Sequence, residues 1–328
     1  MYQALYRKYR SQTFGQLVGQ QVVARTLRQA VEQEKISHAY LFSGPRGTGK
    51  TSVAKIFAKA MNCPNQVNGE PCNECYICES ITNGSLEDVI EIDAASNNGV
   101  DEIRDIRDKS TYAPSLAKHK VYIIDEVHML STGAFNALLK TLEEPTENVV
   151  FILATTELHK IPATILSRVQ RFEFKSIKLP DIVHHLESIL ATEGIAYEAD
   201  AVQIIARRAE GGMRDALSIL DQALSLTAGS ELTTAIAEEI TGSISLAALD
   251  QYVAAILAHD ATAALDQLAI IFDNGKNMAR FVTDLLQYLR DLLIVQTGGE
   301  NTHASDLFAA NLAADQARLF ALIDQATT

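Results

Sequence analysis

The chain has 328 residues, of which 47% are hydrophobic and 21% charged, and its formal net charge is −13. The length allows two or three domains. The acidic balance argues against a protein that binds nucleic acid strongly by itself, since Lys and Arg contacts to phosphate supply most of such affinity. No run of about 18 uncharged apolar residues is present, and the N-terminus lacks the apolar core of a signal peptide. We therefore expect a cytoplasmic protein without membrane contact.

The first half of the chain alternates short apolar runs with amphipathic stretches. A helix is expected at about residues 22–33 and another at 51–62, with further helical stretches between the later apolar runs. The runs expected to form strands are residues 39–44, 89–93, 121–125, 149–156 and 171–174. Such alternation predicts a doubly wound, five-stranded parallel sheet with helices on both faces.

The pattern changes after Pro180, where apolar residues recur only at helical spacing. We expect an α/β domain over residues 1–178, a small helical domain over 179–242 and a third, all-helical domain over 243–328. A stripe of leucines in the third domain, which includes Leu285, Leu289 and Leu292, is typical of a helix that packs in a core.

A phosphate-binding loop lies between the first predicted strand and the helix that follows it. The segment GPRGTGKT matches the pattern G-x-x-x-x-G-K-[ST] in the strand–loop–helix context that the motif requires. Its backbone N–H groups and the helix N-terminus suit the phosphates of ATP, Lys50 reaches the terminal phosphates, and the Thr51 hydroxyl is a ligand for Mg²⁺. The predicted nucleotide-binding residues here are Gly44, Pro45, Arg46, Gly47, Thr48, Gly49, Lys50, Thr51 and Ser52.

A second acidic element, VYIIDEVH, complements this loop. Its apolar residues predict a buried strand that places Asp125 and Glu126 at its carboxyl end, where ligands bind in α/β folds. We expect Asp125 to hold Mg²⁺ and Glu126 to polarise an attacking water. A solvated acidic turn is the alternative, and the phosphate-binding loop in the same chain favours the catalytic interpretation.

All four cysteines lie within a short insertion, residues 63–78. Cys63, Cys72, Cys75 and Cys78 follow the spacing C-x8-C-x2-C-x2-C, which suits a tetrahedral Zn²⁺ ion with no open coordination position. A redox dithiol and an iron–sulfur cluster are the alternatives. Neither is expected in a domain whose active site lies elsewhere, so the insertion predicts a structural zinc module.

With these motifs placed, the chain resembles the gamma/tau subunits of bacterial DNA polymerase III clamp loaders, which are AAA+ ATPases. In that family a polar sensor ends the fourth strand, and Thr155 or Thr156 takes this position here. The segment LSRVQRF resembles the family's Ser-Arg-Cys motif, with Val169 in place of Cys. The resemblance implies that Arg168 is a finger that acts in the active site of the neighbouring subunit.

Further parts of the chain share this resemblance. The segment GGMRDAL implies that Arg214 is a second sensor that reaches the nucleotide, and the opening segment implies that backbone around Val18 lies near adenine. Ser11 stands where the family usually has proline. The family also carries a four-cysteine zinc module at this point of the chain, a helical lid after the ATPase domain and an oligomerising helical collar as its last domain.

The resemblance implies a motor subunit that hydrolyses ATP to load the sliding clamp onto primed DNA. Its expected partners are delta, delta-prime, further gamma/tau copies, the clamp and primed DNA, and its expected cofactors are ATP, Mg²⁺ and Zn²⁺. One alternative is another AAA+ ATPase that remodels DNA, such as a recombination or Holliday-junction motor. The other is a non-hydrolysing structural subunit of the clamp loader, in which the phosphate-binding loop is usually degraded.

Overall fold

The computed structural model describes residues 3–227, 229–299 and 306–327. Residue 228 of the predicted second domain, and residues 300–305 and 328 of the predicted third, lie outside the described residues. The chain divides into two compact units, and each of them is made of two separate segments of the sequence. One unit runs to Gly194 and also takes in Ala206–Asp221, and the other combines Ile195–Ile205 with the chain from Gln222 onward.

Five parallel strands form the sheet of the first unit, as the sequence predicts. Their order in the sheet is β2, β3, β4, β1, β5, so β1 lies between β4 and β5. The carboxyl ends of β1, β4 and β3 are therefore neighbours, and the predicted site residues follow these ends. The strands are β1 (Ala39–Ser43), β2 (Val89–Asp93), β3 (Lys120–Asp125), β4 (Val149–Thr155) and β5 (Gln170–Glu173).

Helices cover both faces of this sheet. Alternate residues of the central strands point to opposite faces, so Ile123 packs with α2 and α3 while Ile124 packs with α5 and α6. Both strand faces are buried, which explains the continuous apolar runs in the sequence. The helices that belong to this part are α1 (Leu5–Lys8), α2 (Gln21–Glu32), α3 (Lys50–Asn62), α4 (Tyr76–Asn83), α5 (Val100–Ser110), α6 (Thr132–Glu143) and α7 (Ala163–Leu166).

The remainder of the described chain is helical, which agrees with the change of pattern after Pro180. Its last helices share a core in which Leu285, Leu289 and Leu292 are buried. The helices are α8 (Leu179–Glu193), α9 (Ala199–Arg208), α10 (Met213–Thr227), α11 (Thr234–Thr241), α12 (Leu246–Leu257), α13 (Ala261–Asp273), α14 (Met278–Gln296), α15 (Asp306–Asn311) and α16 (Gln316–Thr327).

Within the described ranges, no single helix has the length and apolar character to cross a membrane. Only α11 and α12 taken together meet that test, and they are bent by 75° where they meet.

Candidate nucleotide-binding site and metal centre

The phosphate-binding loop leaves the end of β1 at a glycine that no other residue could replace without strain. Gly44 has a φ of 145°, and a Cβ there would come within 2.1 Å of the Phe174 carbonyl oxygen. Gly49, with a φ of 99°, is the N-cap of α3, and no side chain caps this helix. The first N–H groups of α3 are therefore free for an anion, which is the arrangement that phosphate requires.

Lys50 is buried in the loop and faces its carbonyl oxygens. Its ammonium donates to the carbonyl oxygens of Gly44 and Pro45, at 2.8 Å each. Burial lowers the pKa of Lys50, while the carboxylates of Glu126 and Asp125 act to raise it. Among the described residues, this buried ammonium has hydrogen bonds only to neutral carbonyls, so it is suited to receive a phosphate.

The remaining residues of the loop differ in exposure. Thr48 is buried and donates its hydroxyl to the Pro45 carbonyl oxygen at 2.8 Å, whereas Pro45 and Arg46 are exposed. Gly47 is half-buried, and its carbonyl accepts the N–H of Arg214 at 3.4 Å. The loop thus buries Thr48 and leaves Arg46 exposed to solvent.

Asp125 lies beside Thr51, as expected for a shared magnesium site. The Thr51 hydroxyl donates to Oδ2 of Asp125 at 2.6 Å, and Oδ1 of Asp125 accepts the N–H of Glu126 at 2.9 Å. Hydroxyl and carboxylate oxygens in contact, next to a loop that fits phosphate, form a donor set that Mg²⁺ favours in phosphoryl-transfer sites. The residues present therefore fit the predicted cation.

Glu126 is connected to the end of β4. It has a left-handed backbone, with φ 46°, and Oε2 of its carboxylate accepts the Thr156 hydroxyl at 3.1 Å. His128, which the sequence left without a role, places Nδ1 3.4 Å from the same oxygen and 3.1 Å from the Thr155 hydroxyl. Nε2 of this buried imidazole lies 3.2 Å from Glu157. Thr156 is thus the threonine that contacts Glu126, and Thr155 is fully buried behind it.

Arg168 does not contact this cluster. Its guanidinium binds Glu143 on α6 at 2.7 Å, the Thr164 carbonyl at 2.7 Å and the Ser167 hydroxyl at 3.1 Å. The side chains of Arg168 and Glu143 are 33% and 49% exposed. Arg168 is thus held at the surface by residues of its own chain, and its role as a finger stays a prediction.

Two arginines from distant parts of the sequence lie next to the loop. The guanidinium of Arg214 lies 5.5 Å from the ring centre of Tyr6, in addition to its backbone contact with Gly47. Arg10, which sequence reasoning missed, donates Nε to the Ser52 hydroxyl at 2.9 Å. Burial lowers the pKa of Arg10, with Glu91 acting to raise it and Arg214 adding to the decrease. Its only signal in the sequence was its place in the basic opening segment.

Val18 lies in the short connection that leads to α2 and is half-buried. No contact brings it to the phosphate-binding loop, so its predicted place near adenine stays a prediction.

The four cysteines come together as predicted. Their sulfur atoms all lie within 4.8 Å of one another, with 3.4 Å between Cys63 and Cys72 and 3.9 Å between Cys63 and Cys75. Four sulfurs at Zn–S distances of about 2.3 Å would be about 3.8 Å apart in a tetrahedron. A disulfide is not formed, and all four thiols are free. The donor set and spacing fit a closed zinc site.

Backbone N–H groups prepare these sulfurs for a cation. Sγ of Cys63, Cys72 and Cys75 each accept one backbone N–H at 3.4 Å, and the bond to Cys75 caps α4. Burial raises the pKa of Cys63 and of Cys78. At Cys72 burial acts in the same direction, but the backbone N–H groups of Glu74 and Cys75, together with hydrogen bonds from neighbouring thiols, outweigh it and lower the pKa to about 7.

Comparison with known families covers most of the chain. The family described as DNA polymerase III, delta subunit, matches residues 19–178. The ATPase lid domain of DNA polymerase III clamp-loader subunits matches residues 181–229, and domain III of the DNA polymerase III gamma and tau subunits matches residues 232–323.

Individual relatives are tau or gamma/tau subunits of DNA polymerase III. The tau subunit of DNA polymerase III from Bacillus subtilis is 56% identical over 90% of this chain and 52% of its own length. The Escherichia coli tau subunit is 51% identical over 72% of this chain and 36% of its own length, and the gamma/tau subunit of Mycobacterium tuberculosis is 42% identical over 90% and 51%. The chain thus spans about half or less of the length of these relatives.

Solved structures agree on the fold. The Holliday-junction branch-migration motor RuvB of Thermotoga maritima superposes with a TM-score of 0.53 over 76% of this chain and 79% of its own, at 18% identity. The predicted fold class is confirmed: an AAA+ P-loop domain with a helical lid and a C-terminal helical domain.

Proposed function

Because the chain belongs to the gamma/tau family of bacterial DNA polymerase III subunits, we propose that it is an ATP-hydrolysing motor subunit of the clamp loader. In this role it would load the sliding clamp onto primed DNA during replication, in the cytoplasm. The observation that carries the proposal is the contact of Thr51 with Asp125 beside a buried Lys50, with Glu126 next in the chain. Together these residues can bind a nucleoside triphosphate and direct a water to its terminal phosphate.

Binding begins at the start of α3. The uncapped N–H groups of this helix and the Lys50 ammonium would bind the phosphates, and Lys50 would exchange its carbonyl contacts with Gly44 and Pro45 for them. Thr51 and Asp125 would hold Mg²⁺, which neutralises phosphate charge when bound. Arg214, which contacts Gly47, and Arg10, which contacts Ser52, would add positive charge near the loop.

Hydrolysis would depend on Glu126. Its carboxylate would accept a proton from an attacking water, and the Thr156 hydroxyl donates a hydrogen bond to one of its oxygens. Thr156 therefore suits the sensor role better than Thr155, whose hydroxyl contacts His128 and the backbone of Glu157 instead.

Arg168 would complete the active site of a neighbouring subunit. Its pairing with Glu143 is partly solvent-exposed, and ion pairs of this kind contribute about 0–1 kcal/mol. The guanidinium can therefore leave Glu143 at little cost when a neighbour offers the charge of a phosphate, where an arginine finger accelerates hydrolysis by about 10³–10⁵. The delta, delta-prime and further gamma/tau subunits are the proposed neighbours, with the clamp and primed DNA as the substrates of the assembly.

The alternatives are less well supported. RuvB shares the fold at 18% identity, and a likeness at that level says nothing about the activity of this chain. A non-hydrolysing subunit would not need an intact Lys50, a Thr51 hydroxyl in contact with Asp125, and Glu126 beside it. We also propose that the four cysteines hold a structural Zn²⁺ ion, because four protein ligands leave no open position for chemistry.

The experiment is a steady-state ATPase assay with a measurement of ATP affinity. Lys50→Met should abolish binding and turnover, whereas Lys55→Met, on the same helix, should retain both because Lys55 pairs with Glu91 instead. Glu126→Gln should keep ATP affinity and lose turnover. Binding without turnover in the wild-type chain, alone and with the partner subunits, clamp and DNA, would favour the structural subunit and refute the motor.

A further inference from the structure

Lys59 is a buried cation in the nucleotide-binding domain. It lies in the last turn of α3 and is 2% exposed. Its Nζ donates to amide oxygens, that of Gln12 at 2.7 Å and that of Asn73 at 2.6 Å. Among the residues that the structure describes, no carboxylate lies within ion-pair distance of it. Burying an ammonium without a counter-charge costs folding free energy, so negative charge near Lys59 would stabilise the fold.

The four-cysteine cluster lies next to one of the two groups that hold this lysine. Asn73, which Lys59 contacts, directly follows Cys72 in the chain. Burial lowers the pKa of Lys59, and the sulfur groups of Cys78 and Cys72 act against that decrease. Four thiolates around a divalent ion carry a net charge of about −2, which a buried site must balance. The backbone N–H···S bonds supply only partial charges, whereas Lys59 supplies a whole one.

We propose that Lys59 is the charge-balancing residue of the four-cysteine metal centre. The proposal rests on zinc binding at this centre, which is itself proposed above. The ammonium stabilises the metal-bound tetrathiolate electrostatically, while its two hydrogen bonds hold it in place. Outer residues of this kind change metal affinity by about 10–100-fold. The competing explanation is that Lys59 serves only to bind the two amide oxygens.

The position of Lys59 also connects the metal centre to the nucleotide site. Gln12, which accepts its hydrogen bond, donates Nε2 to the carbonyl of Arg10 at 3.0 Å, and Arg10 in turn donates to Ser52. A second contact runs in parallel, since Glu70 of the zinc module accepts the N–H of Phe14 at 2.8 Å. The opening segment, residues 10–16, thus contacts both the start of α3 and the insertion that carries the cysteines, and we expect zinc binding to order it.

Two substitutions separate charge from hydrogen bonding. Lys59→Met removes both, whereas Lys59→Gln removes the charge and keeps an N–H donor. Zinc affinity is measured by competition with a chromophoric chelator at fixed pH. We expect about 10–100-fold weaker binding in both variants and a smaller rise in Tm on adding zinc. Lys55→Met is the control, because Lys55 lies on the same helix but pairs with Glu91. This variant should bind zinc with the affinity of the wild type.

The outcomes are distinct. Wild-type affinity in Lys59→Gln would overturn the proposal and assign Lys59 a purely hydrogen-bonding role. A wild-type chain that takes up no zinc would instead refute the metal centre itself. Hydrogen–deuterium exchange tests the connection: removing zinc from the wild type should speed exchange at residues 10–16. Unchanged exchange there would show that the metal centre does not hold the opening segment.

Discussion

Replacing Asp88 with asparagine should destabilise the chain strongly, although Asp88 lies outside every predicted site. The side chain precedes β2 and is 3% exposed. Its carboxylate accepts the N–H groups of Ser115, Leu116 and Ala117 at 2.7–3.0 Å and the Ser115 hydroxyl at 3.3 Å. One carboxylate thus organises the loop that leads from α5 to β3.

The magnitude follows from these bonds. Hydrogen bonds to a charged group contribute about 1.5–3 kcal/mol each, and an asparagine keeps only one oxygen to accept them. Ser115 and Leu116 are exposed, so water can replace part of what their N–H groups lose. We therefore expect Asp88→Asn to lower the free energy of unfolding by about 2–3 kcal/mol at pH 7, less than the sum of the bonds.

The effect should depend on pH in a defined direction. Burial acts to raise the pKa of Asp88, but the N–H groups of Ala117, Leu116 and Ser115 outweigh it and lower the pKa below its ordinary value of 3.8. A carboxyl whose pKa is lower in the folded state stabilises that state above its unfolded pKa, and this contribution is lost as the pH falls through the folded pKa. The wild type should therefore lose stability more steeply on acidification than Asp88→Asn.

Urea denaturation at a series of pH values measures both quantities. Glu87→Gln is the matched control, since Glu87 is the adjacent carboxylate and is exposed, and its replacement should cost under about 0.5 kcal/mol. Equal stability of Asp88→Asn and Glu87→Gln at pH 7 would refute the reasoning. So would a difference between Asp88→Asn and wild type that stays constant as the pH falls.

Two further predictions concern the nucleotide site. Gly44→Ala should cost about 2–5 kcal/mol of unfolding free energy, from backbone strain and from overlap with the Phe174 carbonyl. Gly84 has φ 70° and open space around it, so Gly84→Ala measures the cost of a positive φ without overlap. If Gly44→Ala lost no more unfolding free energy than Gly84→Ala, the overlap would be refuted. Thr156→Val should lower kcat about 10–100-fold, from the loss of a hydrogen bond to the Glu126 carboxylate, with ATP affinity unchanged. A kcat equal to wild type would contradict this role.

Contiguous motifs could be predicted from the sequence because local rules produce them. The strands β1 and β3 read as apolar runs, and parallel pairing then brings their carboxyl ends together. The contact of Thr51 with Asp125, 74 residues apart, follows from that topology. The sulfur cluster was equally accessible, because the cysteines lie close in sequence and their spacing is itself the signal.

Other features depend on contacts that no local pattern encodes. Arg10 reaches Ser52 across 42 residues, and Asp88 binds a loop 27–29 residues away. The left-handed backbone of Glu126 is fixed by its surroundings, since glutamate has no intrinsic preference for it. Lys59 left one weak signal, a lysine within a helix whose other residues in that stretch are apolar.

The proposed role of the chain as a clamp-loader motor is tested most directly by ATP turnover in the assembled complex. Hydrolysis is measured with the partner subunits, with and without clamp and primed DNA, for wild type and Arg168→Ala. Arg171→Ala, an exposed arginine on β5, is the control. The proposal predicts that clamp and DNA stimulate ATP turnover of the wild type. In Arg168→Ala the stimulated kcat should be lower by about 10³-fold or more, with ATP affinity retained. Turnover that is indifferent to clamp, DNA and Arg168 would contradict it.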